Sequence, residues 1–200
     1  MLVLLDNGHG GVINGRYQTE GKRSPVWSNG QQLFEGEFNR AIVNGIIQML
    51  TWENIPYIVI TPELTDITLE TRVKRANSHN ISNCFFLSVH SNAGGGNGFE
   101  VFTSPGQTTS DHIATIIGEE YQKEFPSKKL RADYSDADLD KERRFYVLTK
   151  TLMPAVLTEN FFMDNESECR DILLTKAGRD HIINFHVNAI RRVKNEIFND

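Results

Sequence analysis

Cysteine is nearly absent from this chain. Cys84 and Cys169 are the only two in 200 residues, they form no CxxC pair, and a disulfide framework is excluded. Cys84 begins an apolar run where a small buried hydrophobe fits, so both cysteines read as reduced, structural thiols. Long apolar runs are missing too. No segment approaches the ~20 residues of a membrane-spanning helix. The opening run at 2–5 has no basic flank and falls short of the about 7–15 residues of a signal h-region. The expectation is a protein made in the cytoplasm without a signal peptide, Met1 being its start. Surplus positive charge is lacking as well: 21 Lys and Arg face 26 Asp and Glu, a formal net charge of −5, and no basic stripe is interleaved with aromatics. The cluster Lys141, Arg143, Arg144 is balanced by Asp133, Asp136, Asp138 and Asp140. A nucleic-acid partner is therefore not expected. Internal repeats, low-complexity segments and composition breaks are also absent, which predicts one domain over residues 1–200.

What the chain does contain is 39% hydrophobic residues at a length that buries a sizeable core without disulfides or a structural metal, so a metal here would be functional. Apolar runs at 2–5, 57–61, 85–90, 99–103, 145–149 and 155–158 read as strands. Between them, helical spacing appears at Phe38, Ala41, Ile42, Ile46, Met49 and Leu50, predicting a helix over 35–52. It appears again after Thr68 (Leu69, Val73, Ala76), then through Ile113, Ile116, Ile117 and Tyr121, and finally from Ile182 to Ile197. A charged stretch at 126–144 separates the last two of these helices. Such alternation predicts an α/β fold, a mostly parallel twisted sheet with helices on both faces.

Ligands of open α/β sheets gather beyond the carboxyl ends of the strands. Three polar residues stand at such ends: His9 in the turn after the first strand, His90 closing FFLSVH, and Glu159 closing PAVLTE. Glu35 adds a fourth, at the start of a helix whose N-terminus faces the same rim. Two imidazoles and a carboxylate from separate elements are the His₂Glu donor set of a catalytic zinc site. Spacing alone does not separate Glu35 from Glu37, since either acid suits a helix N-terminus. Glu159 suits a structural ion pair as well as catalysis. His79, His112, His181 and His186 read as ordinary surface or hydrogen-bonded core histidines. A phosphate-cradling loop is excluded, because Arg16 and Tyr17 follow Gly10 and Gly15 where Lys and then Ser or Thr are required. HExxH, His-x-x-Glu and GxSxG are absent. What remains is a dispersed metal site.

Four blocks then carry a family resemblance: Asp6-Asn7-Gly8-His9-Gly10-Gly11; Glu35-Gly36-Glu37-Phe38-Asn39; Ser88-Val89-His90-Ser91-Asn92-Ala93; and Pro154-Ala155-Val156-Leu157-Thr158-Glu159-Asn160. Together they resemble the zinc-dependent N-acetylmuramoyl-L-alanine amidases. Thr71-Arg72 with Ala76-Asn77, and Gly98-Phe99-Glu100-Val101, resemble further parts of the same pattern. The resemblance implies Zn²⁺ held by His9, Glu35 and His90, with Glu35 chosen over Glu37 because Asn39 stands four residues beyond it. It implies Glu159 as the catalytic acid and base, and peptidoglycan as substrate, cut between the lactyl group of N-acetylmuramic acid and L-alanine. A compact endolysin, phage or prophage encoded and acting on the wall after release, fits the layout. Two alternatives remain: a zinc peptidase acting within the stem peptide, and a non-catalytic peptidoglycan-binding module, which would be expected to lose one of the four residues. Three departures stand out. Asn7 replaces the usual Pro, Asn160-Phe161 replace the usual Leu-Gly, and the segment 12–34, with Lys22, Arg23 and Trp27, is longer than usual.

Overall fold

Val3 and Leu5 point to one side of strand β1 (Leu2–Asp6) and Leu4 to the other, and all three are fully buried, so the strand needs cover on both faces. The computed structural model describes residues 1–135 and 137–199, and Asp136 of the acidic run lies outside the described residues. In chain order β1 is followed by a hairpin of β2 (Val12–Ile13) and β3 (Arg16–Tyr17), then α1 (Glu35–Trp52), β4 (Tyr57–Val59), α2 (Leu69–Ala76), β5 (Cys84–Asn92), β6 (Phe99–Thr103) and α3 (Thr109–Glu124). The rest comprises β7 (Lys141–Glu142), α4 (Tyr146–Lys150), β8 (Ala155–Phe162), the short α5 (Glu166–Glu168) continued by a π turn at Cys169–Leu173, and α6 (Lys176–Glu196).

Six strands form one sheet in the order β4-β1-β5-β8-β6-β7. All neighbours run parallel except β6 and β8, which are antiparallel. Val3, Leu5, Phe85, Leu87, Val89, Val101 and Val156 meet apolar stripes of α1, α3 and α6 on one face. Leu4, Phe86, Phe102 and Leu157 meet Val73 and Ala76 of α2 and Val147 and Leu148 of α4 on the other. The expected two-faced, mostly parallel sheet is therefore present. Both cysteines are buried free thiols, and Cys169 accepts a 3.2 Å hydrogen bond from Trp27 Nε1 that pins the segment 12–34 to the π turn.

One expected strand is a helix. Residues 145–149 are aromatic and β-branched enough to read as β, yet 146–150 form α4. The amides of Leu148 and Thr149 both donate to the Phe145 carbonyl, and the adjacent pair Val147 and Leu148 is buried, a helical rather than an alternating pattern. Burial against α2 and the sheet outweighs a weak local propensity here.

Strands β5 and β8 also run further than the sequence suggests, through His90 to Asn92 and through Glu159 to Phe162. His90 pairs with Glu159, but Asn92 pairs with Phe162, so β8 carries one extra residue just after Glu159. The bulge is where Asn160-Phe161 depart from the resemblance. Phe161 has φ +60, a conformation that favours glycine, and it is fully buried against Tyr121 and Phe125. Its left-handed backbone costs about 1–2 kcal/mol, whereas burying such a ring is worth about 3–5 kcal/mol over a truncated side chain. Packing wins. Phe161→Gly should accordingly destabilise the protein by about 1–4 kcal/mol despite relieving the backbone. A urea midpoint at or above that of the parent would show that the ring does not hold the bulge.

Candidate metal centre and active site

The turn after β1 is built on glycine. Gly8 has φ +64, and a Cβ there would lie 2.4 Å from Asn39 Nδ2 and 2.8 Å from the His90 ring. At the start of α1, a Cβ on Gly36 would meet the Gly10 carbonyl oxygen at 1.9 Å, so only glycine lets the helix abut the turn that carries His9. Gly36 N–H donates to the Tyr17 hydroxyl at 2.8 Å, and Glu35 N–H donates to the Lys22 carbonyl at 2.9 Å. The long segment 12–34 thus braces the helix start.

Beneath the turn lies a buried ion pair. Asp6, 1% exposed, accepts from Arg72 Nη1 at 2.9 Å, from Thr61 Oγ1 at 3.0 Å and from Ser88 Oγ at 2.7 Å. Arg72 also reaches Asp66 at 3.0 Å, Asp66 accepts from Thr19 Oγ1 at 2.7 Å, and Thr19 Oγ1 accepts from the Gly10 amide at 3.0 Å. Asn7, which replaces proline, is buried; oriented to satisfy both ends of its amide, it donates to the Thr61 carbonyl at 2.8 Å and accepts from Arg40 at 2.6 Å. These bonds do the turn-fixing that a proline ring would otherwise do.

On this frame His9, Glu35 and His90 come together, one donor atom from each lying within 4.8 Å of the others. Glu35 Oε1 is 2.9 Å from His90 Nδ1 and 3.4 Å from His9 Nε2. Burial alone would raise the Glu35 pKa, but its contacts with His9 and His90 override it and hold the carboxyl well below its ordinary range. Glu37 is excluded from the cluster: it is exposed, and its Oε1 accepts from the Val12 amide at 2.7 Å. His9 Nε2 and Glu35 Oε2 are shielded from solvent yet have no hydrogen-bond partner. Two buried, unsatisfied atoms beside a second imidazole make an N, O and N donor set that a resident Zn²⁺ would satisfy, so the residues fit the metal.

Glu159 sits beside His90 across the β5–β8 ladder and opposite Glu100 across the β8–β6 ladder. Its Oε2 is buried without a partner, and it makes no ion pair among the described residues, which removes the structural ion-pair alternative. Burial first, then the Glu35 charge, push its pKa well above the ordinary carboxylate value, with Lys22 opposing. Glu100 behaves oppositely: hydrogen bonds from Arg131 and Lys141 outweigh its burial and lower its pKa.

Sequence reasoning missed Asn160 and Lys22. Asn160 Nδ2 donates to the His90 carbonyl at 2.9 Å and to Thr158 Oγ1 at 3.2 Å, tying the bulge to β5. Thr158 in turn bonds Nε2 of His186 at 3.1 Å, whose Nδ1 bonds the Ile182 carbonyl at 2.8 Å. Burial lowers the His186 pKa to about 4, so this imidazole is a neutral core residue, as expected. Lys22 Nζ is 4.0 Å from Glu35 Oε2. His9, His90, Glu159 and Lys22 line a cleft of about 680 Å³ whose apolar wall includes Leu69 and Tyr146.

An open, mostly parallel sheet with a His₂Glu cluster and an unpaired buried carboxylate at one cleft defines a class of hydrolase. The family model for N-acetylmuramoyl-L-alanine amidase matches residues 3–192. The N-acetylmuramoyl-L-alanine amidase CwlM of Bacillus licheniformis is 31% identical over 196 residues, covering 96% of this chain and 68% of the relative. The endolysin of Bacillus phage SPP1 is 31% identical over 192 residues, covering 90% of this chain and 63% of the relative. Among solved structures, the N-acetylmuramoyl-L-alanine amidase from Clostridium difficile 630 superposes with a TM-score of 0.79 at 22% identity, covering 98% of this chain and 97% of the other. The chain belongs to the N-acetylmuramoyl-L-alanine amidase family, whose members are hydrolases acting on peptidoglycan.

Proposed function

We propose that this chain is a zinc-dependent amidase that separates the lactyl group of N-acetylmuramic acid from L-alanine, with His9, Glu35 and His90 as metal ligands and Glu159 as the catalytic acid and base. The observation that carries the reading is the convergence of His9, Glu35 and His90, with His9 Nε2 and Glu35 Oε2 shielded from solvent and left without a hydrogen-bond partner. When bound, Zn²⁺ supplies Lewis acidity that activates water and polarises the scissile carbonyl. The chain does the rest. Glu159 accepts the proton of the attacking water at its free carboxylate oxygen and returns one to the departing amine, because an amide nitrogen leaves poorly until protonated. Burial and the Glu35 charge raise its pKa, the direction wanted in a group that must give a proton as well as take one. Asn160 holds the His90 carbonyl against the bulge and so keeps Glu159 and His90 in register. Leu69 and Tyr146 line the same cleft and offer apolar surface to the substrate.

Among the described residues no helix is long and apolar enough to cross a membrane. Action on the wall after release, in the manner of a phage or prophage endolysin, belongs to the same proposal.

Metal content tests the ligand set. His90→Ala should lose most of its zinc by native mass spectrometry, whereas Glu37→Ala should keep it, since Glu37 serves the Val12 amide. Zinc lost in Glu37→Ala and kept in Glu35→Ala would reverse the assignment. Product analysis separates amidase from peptidase: the new free amine must lie on L-alanine and not further along the stem peptide.

A further inference from the structure

Away from the cleft, three carboxylates converge between the first turn of α3 and the run leading into β7. Asp111 and Asp140 are 6% and 2% exposed, Asp138 is half-buried, and one oxygen from each lies within 4.8 Å of the others. Asp138 Oδ1 and Asp140 Oδ1 are shielded from solvent and have no hydrogen-bond partner. The second oxygens of these two are occupied, Asp140 Oδ2 accepting from Thr103 Oγ1 at 2.6 Å and Asp138 Oδ2 from Gln107 Nε2 at 3.2 Å, while Asp111 Oδ2 accepts from the Thr108 amide. Among the described residues no Lys, Arg or His pairs with any of the three. Lys141, next in the chain, is committed to Glu100 at 2.5 Å, and Arg143 donates to the Glu142 carbonyl at 2.9 Å. A carboxylate as buried as Asp140, with one oxygen unpartnered, two other acids in reach and no cation paired with it among the described residues, is costly unless something neutralises it.

We propose that Asp111, Asp138 and Asp140 bind a calcium ion, at a site separate from the His9, Glu35 and His90 group. All donors are oxygens, which selects a hard cation over zinc or copper. Acids from two chain segments with one half-buried member suit the flexible, high-coordination shell of Ca²⁺ better than the rigid octahedron of Mg²⁺. Burial first, then the neighbouring acids, push the Asp140 pKa up to about 7 against the Thr103 bond, so the trio does not hold three charges comfortably by itself. The ion has mechanical work to do. Leu139, between two of the ligands, packs on Gly118 of α3, and the residue after Asp140 is the Lys141 that fixes Glu100 opposite Glu159. The same run leads on to Phe145 and Tyr146, which line the cleft. Calcium would pin this run to α3 and β6 and firm one cleft wall without touching the reacting atoms.

The test is a titration of purified full-length chain with calcium chloride, with and without one equivalent of zinc, read by equilibrium dialysis and melting temperature. About one Ca²⁺ per chain should bind, with a Kd of about 10⁻⁴–10⁻³ M as in extracellular calcium modules. At tenfold above Kd the melting temperature should rise by about 3–6 °C. Asp138→Asn and Asp140→Asn should each lose the calcium and the shift while keeping the parent's zinc content. Without calcium, Asp140→Asn should melt no lower than the parent, because it removes a repelled charge. Absence of binding and shift in the parent would overturn the proposal in favour of a proton shared among the acids. A shift that persists in both variants would place the ion elsewhere, and a larger shift with magnesium than with calcium would overturn the assigned cation.

Discussion

Glu159→Gln is expected to keep the fold and the metal of the parent while slowing peptidoglycan hydrolysis by about 10²–10⁴-fold, the usual worth of a positioned general acid and base. The amide is isosteric with the carboxylate, so the β8 strand and its bulge are undisturbed, but its oxygen does not take up a proton at neutral pH. No ion pair is lost, because Glu159 has none among the described residues. Removing a carboxylate crowded by Glu35 should leave the melting temperature unchanged or slightly raised. Hydrolysis of purified sacculi by zinc-loaded parent and variant, with melting temperature and metal content measured on the same samples, checks each part. Turnover within a few-fold of the parent would remove Glu159 from the reaction and weaken the assigned mechanism with it.

The second large effect is on stability. Arg72→Met should cost about 3–5 kcal/mol, because it strands the Asp6 carboxylate, 1% exposed, with only hydroxyl donors from Thr61 and Ser88. It also frees Asp66 and the Ile67 carbonyl, which Arg72 Nε bonds at 2.8 Å. Since Asp6 and Asp66 both anchor the turn that carries His9, zinc affinity should fall along with the urea midpoint. The double variant Asp6→Asn, Arg72→Met should recover part of the loss, because no unpaired charge is then left buried. A single variant within about 1 kcal/mol of the parent would show that water reaches Asp6 and that the pair is not a structural support.

Much of this was readable from residue order because burial on both sheet faces writes short apolar runs. His9, His90 and Glu159 stood out as polar interruptions of such runs, and the helix at 35–52 has the boundaries its apolar spacing predicts. The reading failed where packing overrode composition. Residues 145–149 look like a strand and become α4 because two adjacent side chains, Val147 and Leu148, are buried together. Glu35 and Glu37 were inseparable by spacing, since both sit in the first turn of α1. What separates them is that one faces two imidazoles and the other a backbone amide, which is a matter of three dimensions. Lys22 had no signal beyond its place in an over-long connection. Asn160 and Phe161 did leave a trace as departures from the expected Leu-Gly, but their meaning, a bulge locked by a side-chain bond and a packed ring, depends on contacts with β5 and α3.

The contact of Gly36 with the Gly10 carbonyl bears on how the cluster would take up an ion. Because helix start and histidine turn abut at backbone distance, His9 and Glu35 are carried by one rigid body rather than by two segments free to drift apart. Their ordering entropy is spent when the chain folds, not when an ion arrives. Capture then needs no prior search among loop conformations, and the His9 and His90 rings that line the cleft leave the way in open. Zinc uptake by the metal-free chain should therefore speed up in proportion to zinc concentration, and a plateau in that rate would reveal a conformational step before binding.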